Sequence, residues 1–421
     1  MRYKQSRFNF AYKREANENV VYNTFSKALV LLDDDEYRQY EALTLIDSDT
    51  EKRLADNGIL IEESFDEMHF LKYFHYKKKF SNDTLFLTIA PTLDCNFSCP
   101  YCYENRRPGK MSVDIQNAVI SYIKNSISYG VRNLDISWYG GEPLLYPDVL
   151  ESLARKILSV AESGNCLLNM YLVTNGYLLT PQMIELLDEI GITKIQVTLD
   201  GLRTNHDARR PLRNGGGTFD RIMENLNFFC DSPIEVAVRM NIDNQNCRDY
   251  ILLKEKITLL NNPNIKMYPS PVEDINKDTV NAVSDFMTTN EFESFAMSIC
   301  EDGGLSPDNF AVMDDRYCFC TAETENCYVV DNLGDFYKCW DEVGRPEHCC
   351  FNILAPENKN YSIIAKYLAD DPFSDEKCSR CVFLPLCYGG CKFQKAKLSK
   401  SVCGFTRDTL KKYLEIAFFN G

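Results

Sequence analysis

The chain has 421 residues, a formal net charge of -15 and 45% hydrophobic residues. Its length allows two or three domains, and its negative charge argues against binding nucleic acid through the phosphates. No apolar run reaches the roughly 18 residues of a membrane span, and the N-terminus lacks the apolar stretch of a secretory signal. We therefore expect a soluble, cytoplasmic protein that binds neither nucleic acid nor membranes.

The first block, residues 1–82, contains no cysteine and has short amphipathic segments. A helix with acidic residues in its first turn is predicted after the second strand, because carboxylates stabilise helix N-termini. Lys77–Lys79 predicts an exposed basic link to the next block. The pattern indicates a small α+β module of the winged-helix type. Its predicted elements are strands at Val20–Tyr22, Ala28–Leu32 and around Gly58–Glu63, and helices from Asp33 to Leu43 and from a cap at Asp49 to Asn57.

The second block alternates apolar, β-forming segments with helical ones, which predicts βαβ units and a parallel sheet. Six such strands favour a curved partial barrel, in which active sites lie at the carboxyl ends of the strands. The predicted strands are Leu85–Ile89, Leu134–Trp138, Leu168–Val173, Lys194–Leu199, Glu235–Met240 and Ile265–Tyr268. The predicted helices are Val113–Ser128, Val149–Ala161, Pro181–Glu189, Phe219–Phe229 and Tyr250–Leu260.

Cysteines are the most unusual feature of the composition, with 18 cysteines against 4 histidines. The cytosol keeps thiols reduced, so disulfides are not expected in a chain without an export signal. Cysteines clustered at short spacings indicate metal ligands. Because the thiolates far outnumber the imidazoles, iron–sulfur clusters fit the ligand supply better than a histidine-rich metal site.

The segment Cys95–Cys102 reads C-x3-C-x2-C, with a tyrosine before the last cysteine. Three thiolates on one short loop can hold three irons of a [4Fe–4S] cluster, since cysteines at close spacings normally hold such clusters. A closed structural site would require four ligands. The spacing therefore predicts a cluster whose fourth iron is open to a substrate or cofactor.

Further motifs stand where predicted strands end. Trp138–Pro143 reads W-Y-G-G-E-P, in which the glycines allow close backbone approach and the carboxylate can accept a hydrogen bond from an ammonium group. T-N-G at 174–176, T-L-D-G at 198–201 and R-M-N at 239–241 follow later strands. Because parallel strands end at one edge of a sheet, these motifs are candidate ligand contacts. Packing and capping are the alternatives at each position taken singly.

Taken in this order, the motifs resemble the signature of the radical S-adenosylmethionine (SAM) family. The family cleaves SAM by one-electron reduction, and the resulting 5′-deoxyadenosyl radical removes a hydrogen atom from the substrate. The resemblance implies that Cys95, Cys99 and Cys102 hold the catalytic cluster and that SAM chelates its open iron. The implied cofactor contacts are Tyr101, Gly140, Gly141, Glu142, Asn175, Thr198, Asp200, Arg210, Arg239 and Asn241.

A charged, glycine-rich stretch at His206–Asp220 is predicted to form a long loop over the site. It resembles the H-D-x-R-R-P…G-x-T-F segment of peptide-modifying members of the family. The resemblance implies that Arg209 or Arg210 clamps a carboxylate, since arginine pairs with carboxylates through two parallel hydrogen bonds. A solvated charged loop is the alternative interpretation.

Twelve of the 18 cysteines lie from Cys300 onward, in a segment whose periodicity is weak and which needs metal to fold. Cys378–Cys391 reads C-x2-C-x5-C-x3-C, and Gly334–Cys339 reads G-x4-C. This order resembles the SPASM extension, which carries two auxiliary [4Fe–4S] clusters. By resemblance, one cluster takes Cys378, Cys381, Cys387 and Cys403, and the other takes Cys320, Cys327, Cys339 and Cys391.

Some assignments in this segment stay open. Cys318 competes with Cys320 and Cys327 as a ligand, and zinc is an alternative occupant that would not explain the three-cysteine loop. Asp341 is a candidate catalytic proton acceptor near an auxiliary cluster. Sulfatase-maturing enzymes are expected to have an acid directly after the cysteine, where Trp340 stands in this chain.

The fold predicted from these motifs is α/β, with a partial (β/α)6 barrel as the radical SAM core. The predicted domains are residues 1–82 as a winged-helix-like module, 83–299 as the barrel and 300–421 as the cysteine-rich SPASM domain. The first module looks like the recognition domains of peptide maturases, which bind a leader peptide as a strand added to a sheet edge.

The leading hypothesis is a radical SAM/SPASM maturase of the sactipeptide or ranthipeptide type. It would form thioether crosslinks, between a cysteine sulfur and a carbon of another residue, in a ribosomally made cysteine-rich peptide. Its cofactors would be SAM and three [4Fe–4S] clusters, one SAM-binding and two auxiliary, and its partners the precursor peptide and an external electron donor, flavodoxin or ferredoxin.

Three alternatives stay open. Two are enzymes: a maturase that forms carbon–carbon crosslinks, and an anaerobic sulfatase maturase that makes formylglycine. A non-catalytic electron carrier or a zinc-stabilised binding protein is disfavoured, because neither needs the strand-end motifs.

Overall fold

The computed structural model describes residues 2–44, 47–272, 285–301, 316–398, 403 and 406–419. The chain divides into two compact units, of which the first joins the two ends of the sequence. The first unit consists of residues 1–81, 307–324 and 368–421, and the second of residues 82–306 and 325–367. The division into three domains remains a prediction.

The N-terminal part of the first unit is a small α+β module. Strands β2, β3 and β4 form an antiparallel sheet in that order, and β1 pairs with β5. Val21, Leu32 and Leu54 are among the buried side chains of its core. The elements are β1 (Tyr3–Gln5), β2 (Asn9–Glu15), β3 (Glu18–Asn23), β4 (Leu29–Leu32), α1 (Asp34–Ala42), α2 (Ser48–Asp56), β5 (Leu60–Glu62) and α3 (Glu67–Lys79).

The caps of the first two helices explain where they begin. Asp33 caps α1 and forms a capping box with Glu36, as the acidic run predicts. Asp47 caps α2 by accepting hydrogen bonds from two backbone N–H groups, so the predicted cap at Asp49 is wrong by two residues.

Helix α3 corrects the prediction of an exposed lysine link. Lys77–Lys79 forms its last turn, and Lys79 is fully buried. The sequence pattern does not predict this helix. Three residues on its inner face are fully buried, and only one of them is apolar: they are Leu71, His75 and Lys79.

The second unit is built on a nine-stranded sheet with strand order β13-β12-β11-β10-β9-β6-β14-β15-β16. The strands from β13 to β14 are parallel to one another, which confirms the six predicted strands and their parallel arrangement. The elements of this unit are β6 (Thr84–Ile89), β7 (Thr92–Leu93), β8 (Arg107–Lys110), α4 (Val113–Ser128), β9 (Asn133–Trp138), α5 (Pro147–Ser163), β10 (Leu167–Thr174), α6 (Pro181–Glu189), β11 (Lys194–Thr198), α7 (Arg203–Arg209), α8 (Phe219–Asn227), β12 (Glu235–Ile242), α9 (Tyr250–Thr258), β13 (Ile265–Pro271), α10 (Thr289–Glu301), β14 (Cys327–Val330), β15 (Asp335–Tyr337), β16 (Phe351–Asn352) and α11 (Tyr361–Leu368).

Alternating burial shows how the central strands pack. Along β9, Leu134, Ile136 and Trp138 are fully buried, and the residues between them are partly exposed. Helix α5 has a strongly amphipathic sequence and buries Leu153 and Ile157. A sheet with one apolar face covered by helices leaves its other face and its carboxyl ends available for a site.

The C-terminal part of the first unit is mainly helix and turn. It contains α12 (Leu384–Cys387), α13 (Lys392–Leu398) and α14 (Arg407–Phe419). Within the described ranges, no helix combines the length and apolar character required to span a membrane.

Candidate active site

The three-cysteine loop lies just beyond β6 and β7 and is anchored by backbone contacts. Asp94 Oδ1 accepts a hydrogen bond from the backbone N–H of Cys95 at 2.9 Å. The N–H of Ser98 donates to the carbonyl of Pro211 at 2.9 Å, and Arg213 forms an ion pair with Asp94. The segment after the predicted H-D-x-R-R-P motif therefore fixes the cluster loop in place.

The thiols of this loop lie in a buried, polar environment. Cys95 Sγ accepts a hydrogen bond from the backbone N–H of Phe97 at 3.4 Å and lies 3.9 Å from Nδ2 of Asn175. Burial raises the pKa of Cys95 to about 12 and that of Cys102 to about 11. Arg106 forms a hydrogen bond with the Cys102 thiol. Iron binding at this loop would therefore displace protons, and Arg106 would offset part of the thiolate charge.

These residues fit an iron–sulfur cluster better than a single metal ion. Among the described residues, no group of three or more His, Cys, Asp or Glu side chains converges on one metal position. A [4Fe–4S] cluster does not require such convergence, because each cysteine binds a different iron. Cys95 and Cys102 each lie within electrostatic range of Cys99, and Arg210 lies near Cys99 as well.

The turn after β9 fits against the cluster loop so closely that only glycine is possible. Gly140 has a φ of +87°, and an added Cβ would lie 2.5 Å from the Cβ of Ala90. A Cβ on Gly141 would lie 2.0 Å from the carbonyl oxygen of Asp94. That same carbonyl accepts a hydrogen bond from the N–H of Glu142 at 2.8 Å. The G-G-E-P motif and the cluster loop are therefore joined backbone to backbone.

Glu142 is fully buried and connects two strand ends. Its carboxylate accepts hydrogen bonds from Leu144 N–H at 2.9 Å, Asn175 N–H at 2.7 Å and Thr174 Oγ1 at 2.8 Å. Burial raises its pKa. A carboxylate has about four acceptor positions, so three bonds within the protein leave about one for the predicted ammonium contact.

Tyr101 brings four of the predicted contacts together. Its hydroxyl hydrogen-bonds Asp200 and accepts from Arg210 at 2.7 Å and from Asn241 Nδ2 at 3.3 Å. The N–H of Asn241 also donates to Asp200 at 3.2 Å. Arg239 donates to Asn241 Oδ1 at 2.8 Å. One polar network therefore connects the cluster loop to the ends of β11 and β12.

The two adjacent arginines have different surroundings. Arg209 is 8% exposed and pairs with Asp243 at 2.5 Å and with Asp200 at 3.5 Å. Both carboxylates belong to the protein, so Arg209 already has internal partners. The clamp for a ligand carboxylate is therefore a prediction for Arg210 rather than Arg209. Thr198 lies beside Arg239 in the sheet register, at the end of β11.

The stretch predicted to be a long loop, His206–Asp220, is instead helical at both ends. A buried hydrogen-bonded pair, His206 and Thr218, joins these ends and is called the latch below. His206 Nδ1 accepts from the N–H of Asp200 at 3.0 Å, so Nε2 carries the hydrogen and donates to Thr218 Oγ1 at 3.0 Å. Thr218 in turn donates to the carbonyl of Arg210 at 2.7 Å. Burial lowers the pKa of His206, which keeps it neutral. The His206–Thr218 pair therefore fixes the backbone that carries Arg210.

Thr218→Val is expected to weaken SAM binding about tenfold and to lower the melting temperature. The change keeps the side-chain shape but leaves two buried groups, the Nε2–H of His206 and the Arg210 carbonyl, without their partner. Leaving a buried group unsatisfied costs about 1–3 kcal/mol. Thr258→Val, at an exposed helix position, is the matched control. An unchanged SAM dissociation constant in Thr218→Val would contradict the latch.

Two side chains near the cluster loop are missed by motif reasoning. Glu104 accepts a hydrogen bond from the backbone of Gly141, and burial raises its pKa to about 7. Tyr139, which precedes the glycines, contacts the hydroxyl of Tyr103 and packs edge-on against Trp340. Proximity of Glu104 to Cys102 in sequence is the one feature that points to it.

The cysteines predicted to bind the auxiliary clusters lie on loops and short elements of each unit. In the second unit, Cys327 begins β14, and the Cys339 thiol donates to Asp341 at 3.6 Å. In the first unit, Cys378 is buried, Cys403 is exposed, and the N–H of Phe383 donates to Cys381 Sγ at 3.4 Å. The remaining predicted ligands are Cys387, Cys320 and Cys391. The two ligand sets stay predictions.

Cys318, the competing ligand, is also in the first unit. It is buried, and its Sγ lies 3.9 Å from Nδ1 of His75. Burial raises its pKa to about 12. Cys318 therefore stays a predicted competitor of Cys320 and Cys327 for cluster binding.

A parallel sheet with a three-cysteine loop and a G-G-E-P turn at adjoining strand ends is the arrangement that the resemblance to the radical SAM family implies. Residues 89–250 match the sequence model of the Radical SAM superfamily. These residues therefore form a radical SAM domain, as the motifs predict, and the α/β fold class is confirmed.

Curated relatives match different shares of the chain. The Fe-coproporphyrin III synthase of Methanosarcina barkeri is 30% identical over 175 residues, which cover 39% of this chain and 40% of that protein. This chain thus spans less than half the length of the first relatives it matches. The cysteine-type anaerobic sulfatase-maturating enzyme of Clostridium novyi is 23% identical over 348 residues, covering 74% of this chain and 89% of that enzyme.

Solved structures show the same fold over more of the chain. The structure of anSMEcpe with bound AdoMet and Cp18Cys peptide has a TM-score of 0.62 at 19% identity, covering 80% of this chain and 97% of that one. The structure of Streptococcus suis SuiB bound to precursor peptide SuiA has a TM-score of 0.54 at 15% identity, covering 95% of this chain and 98% of that one.

Proposed function

We propose that this enzyme modifies a ribosomally made, cysteine-rich precursor peptide in the cytoplasm and forms thioether crosslinks between cysteine sulfur and carbon. The observation that carries the proposal is the fusion of a radical SAM site to an α+β module with a sheet edge. Among the described residues, β4 pairs with β3 alone. Such an edge can accept a peptide as an additional strand.

The extent of fold similarity supports a peptide substrate. The SuiB fold covers 95% of this chain and the anSMEcpe fold 80%. SuiB is bound to a precursor peptide in its structure, and we propose the same class of partner for this chain.

The residues of the site have distinct roles in this proposal. Cys95, Cys99 and Cys102 would hold the SAM-binding cluster, and the two predicted sets of C-terminal cysteines would hold the auxiliary clusters. When bound, these cofactors would supply a radical that removes one hydrogen atom from the peptide and an acceptor for the second electron. Glu142 and Arg210 orient the cofactor through its amine and carboxylate. Asp341 accepts the proton that the substrate thiol loses as the C–S bond forms.

A sulfatase maturase is the second candidate, favoured by the match to the Clostridium novyi enzyme over 74% of this chain. One observation argues against it: Trp340 occupies the position directly after Cys339 where an acid is expected. A sulfatase as substrate would also leave the sheet edge of residues 1–82 without a leader peptide to bind. A maturase that forms carbon–carbon crosslinks differs only in the acceptor atom and is separated by the experiment below.

The proposal is tested by mass spectrometry of a cysteine-rich peptide encoded beside the gene. The peptide is incubated without oxygen with the reconstituted enzyme, SAM and a flavodoxin or ferredoxin reducing system. We expect the loss of two hydrogens per modified cysteine, thiols that no longer react with an alkylating reagent, and formation of 5′-deoxyadenosine.

Other outcomes distinguish the alternatives. Loss of two hydrogens with thiols that still react would contradict thioether formation and favour a carbon–carbon crosslink. Conversion of one cysteine to an aldehyde that reacts with a hydrazide would favour formylglycine formation. Absence of 5′-deoxyadenosine, with all three cysteines of the loop intact and iron bound, would contradict the radical reaction itself.

A further inference from the structure

Helix α3 of the N-terminal module packs against the C-terminal cysteine segment with one face. Leu71, His75 and Lys79 are each fully buried, and at spacings of four residues they lie on one side of the helix. Leu71 belongs to the same buried cluster as Cys378 and Tyr388. The N-terminal module is therefore part of the packing around the segment that carries Cys378, Cys381 and Cys387, the predicted ligands of an auxiliary cluster.

The backbone between Cys387 and Cys391 is strained. Cys387 is a predicted ligand of one auxiliary cluster, and Cys391 is a predicted ligand of the other. Tyr388 follows Cys387 directly and has a φ of +44° and a ψ of +38°. Gly389 and Gly390, with φ values of +83° and +76°, complete the turn to Cys391. Glycine adopts this left-handed region readily, but a bulky residue does so only where its surroundings hold it there.

His75 stacks on the Tyr388 ring within this buried cluster. The two rings are stacked with centroids 5.3 Å apart and planes 7° apart. His75 Nδ1 donates to the carbonyl of Tyr317 at 2.6 Å, which fixes the orientation of the imidazole. Its Nε2 has no hydrogen-bond partner among the described residues, so stacking and one hydrogen bond position the ring. Burial lowers the pKa of His75 to about 4, so the ring stacks in its neutral form.

Further contacts from the module reach other turns of the same segment. Arg7 donates to the carbonyl of Ser379 at 2.6 Å, between Cys378 and Cys381. Thr24 Oγ1 donates to the carbonyl of Val382 at 2.5 Å. Lys79 donates to the carbonyl of Asp370 at 2.7 Å. The module therefore contacts this segment before, within and after the C-x2-C turn.

Lys392 closes the turn from the other side. Its Nζ donates to the carbonyl of Tyr388 at 2.7 Å and pairs with Asp370 at 2.9 Å. Asp370 is also the residue whose carbonyl accepts from Lys79. The strained turn is therefore held between His75 on its ring and Lys392 on its carbonyl.

We propose that His75 is a positioning residue for the auxiliary cluster predicted at Cys378, Cys381, Cys387 and Cys403, acting through Tyr388. The N-terminal module would then have a second role besides peptide recognition, as the scaffold on which this cluster loop assembles. The inference rests on the auxiliary cluster named in the proposed function. It predicts that a change on the inner face of α3 removes iron while the SAM-binding cluster, in the other unit, is retained.

The test compares iron content in the full-length chain after anaerobic reconstitution. Three [4Fe–4S] clusters correspond to about 12 irons per chain. His75→Leu fills the core but removes the stacking ring, and we expect about four irons fewer, equal to the loss in Cys387→Ser. His75→Phe keeps the stack and should retain full iron. Tyr73→Ala is the matched control, because Tyr73 is on the same helix and is 60% exposed. This variant should also retain full iron.

A second readout separates this role from general unfolding. SAM cleavage to 5′-deoxyadenosine without peptide, and the reduced paramagnetic spectrum of the SAM-binding cluster, should be unchanged in His75→Leu. Full iron in folded His75→Leu would overturn the proposal. If His75→Leu does not fold, His75→Phe decides: full iron supports stacking as the cause, and lost iron overturns it. Equal iron in the wild type and Cys387→Ser would show that the loop holds no cluster, which overturns the auxiliary-cluster assignment and this inference together.

Discussion

Gly141→Ala is expected to reduce SAM cleavage by at least 100-fold. An alanine Cβ at this position would lie 2.0 Å from the carbonyl oxygen of Asp94, and real carbon–oxygen contacts of this length do not occur. Since Asp94 immediately precedes Cys95, the clash must move either the cluster loop or the G-G-E-P turn. A displacement of about 1 Å at a reacting site typically costs about 100-fold in rate.

The measurement is the rate of 5′-deoxyadenosine formation under reducing, oxygen-free conditions, together with the SAM dissociation constant and the iron content. Gly216→Ala is the matched control, because the nearest atoms to its Cβ are side-chain atoms at 3.1 and 3.3 Å that can move. Cleavage within threefold of the wild type in Gly141→Ala would show that the backbone contact between the two motifs is not needed for SAM binding.

The sequence predicts the parallel sheet of this protein well, because local and long-range preferences agree there. Each of the six predicted strands is apolar and rich in β-forming residues, and the register of β9 places alternate residues such as Leu134 and Ile136 in the core. The motif residues fall at strand ends for the same reason. Parallel strands that end at one edge bring Glu142, Asn175 and Asp200 near the cluster loop.

Other parts were not predictable because their stability comes from partners that are distant in sequence. Helix α3 buries His75 and Lys79, which no apolar periodicity reveals, against residues 317 and 370. Arg209 looks like a ligand clamp in sequence, yet Asp243 is its partner at 2.5 Å. Such pairings form only when the chain has folded, so they cannot be predicted from a motif. For this reason the motif indicates a ligand-binding role for Arg209, which has a partner within the protein.

Deleting the N-terminal module is a poor test of its proposed leader-binding role. Arg14 pairs with Glu415 at 3.0 Å, and Thr24 and Arg7 donate to the cysteine segment. Removing residues 1–82 would expose that packing and disturb the predicted cluster loop. A point substitution at the sheet edge tests peptide binding without this effect.

Leu31→Pro on β4 is expected to lower the affinity for the leader-containing precursor at least tenfold and to leave SAM cleavage without peptide unchanged. Strands β3 and β4 are antiparallel, and the N–H of Asn23 donates to the carbonyl of Ala28. Hydrogen-bonded and non-hydrogen-bonded pairs alternate along such strands. Val30 is therefore in a hydrogen-bonded pair and Leu31 in a non-hydrogen-bonded pair. The Leu31 carbonyl indeed points away from β3 and accepts from Arg53 at 3.3 Å. Its N–H therefore points outward too, where proline is tolerated in an edge strand but removes the donor that an added strand requires.

Leu31→Ala is the matched control, because it removes the 38% exposed side chain but keeps the N–H. If the leader adds to β4, Leu31→Pro should weaken binding much more than Leu31→Ala, and the defect should disappear when a peptide without its leader is supplied at high concentration. Equal affinities of Leu31→Pro and wild type for the full precursor would exclude β4 as the recognition edge, since a strand cannot be added fully where the donor is missing. The side-chain and backbone contributions are then separated by one comparison, because both variants change the same residue and only one of them changes the backbone.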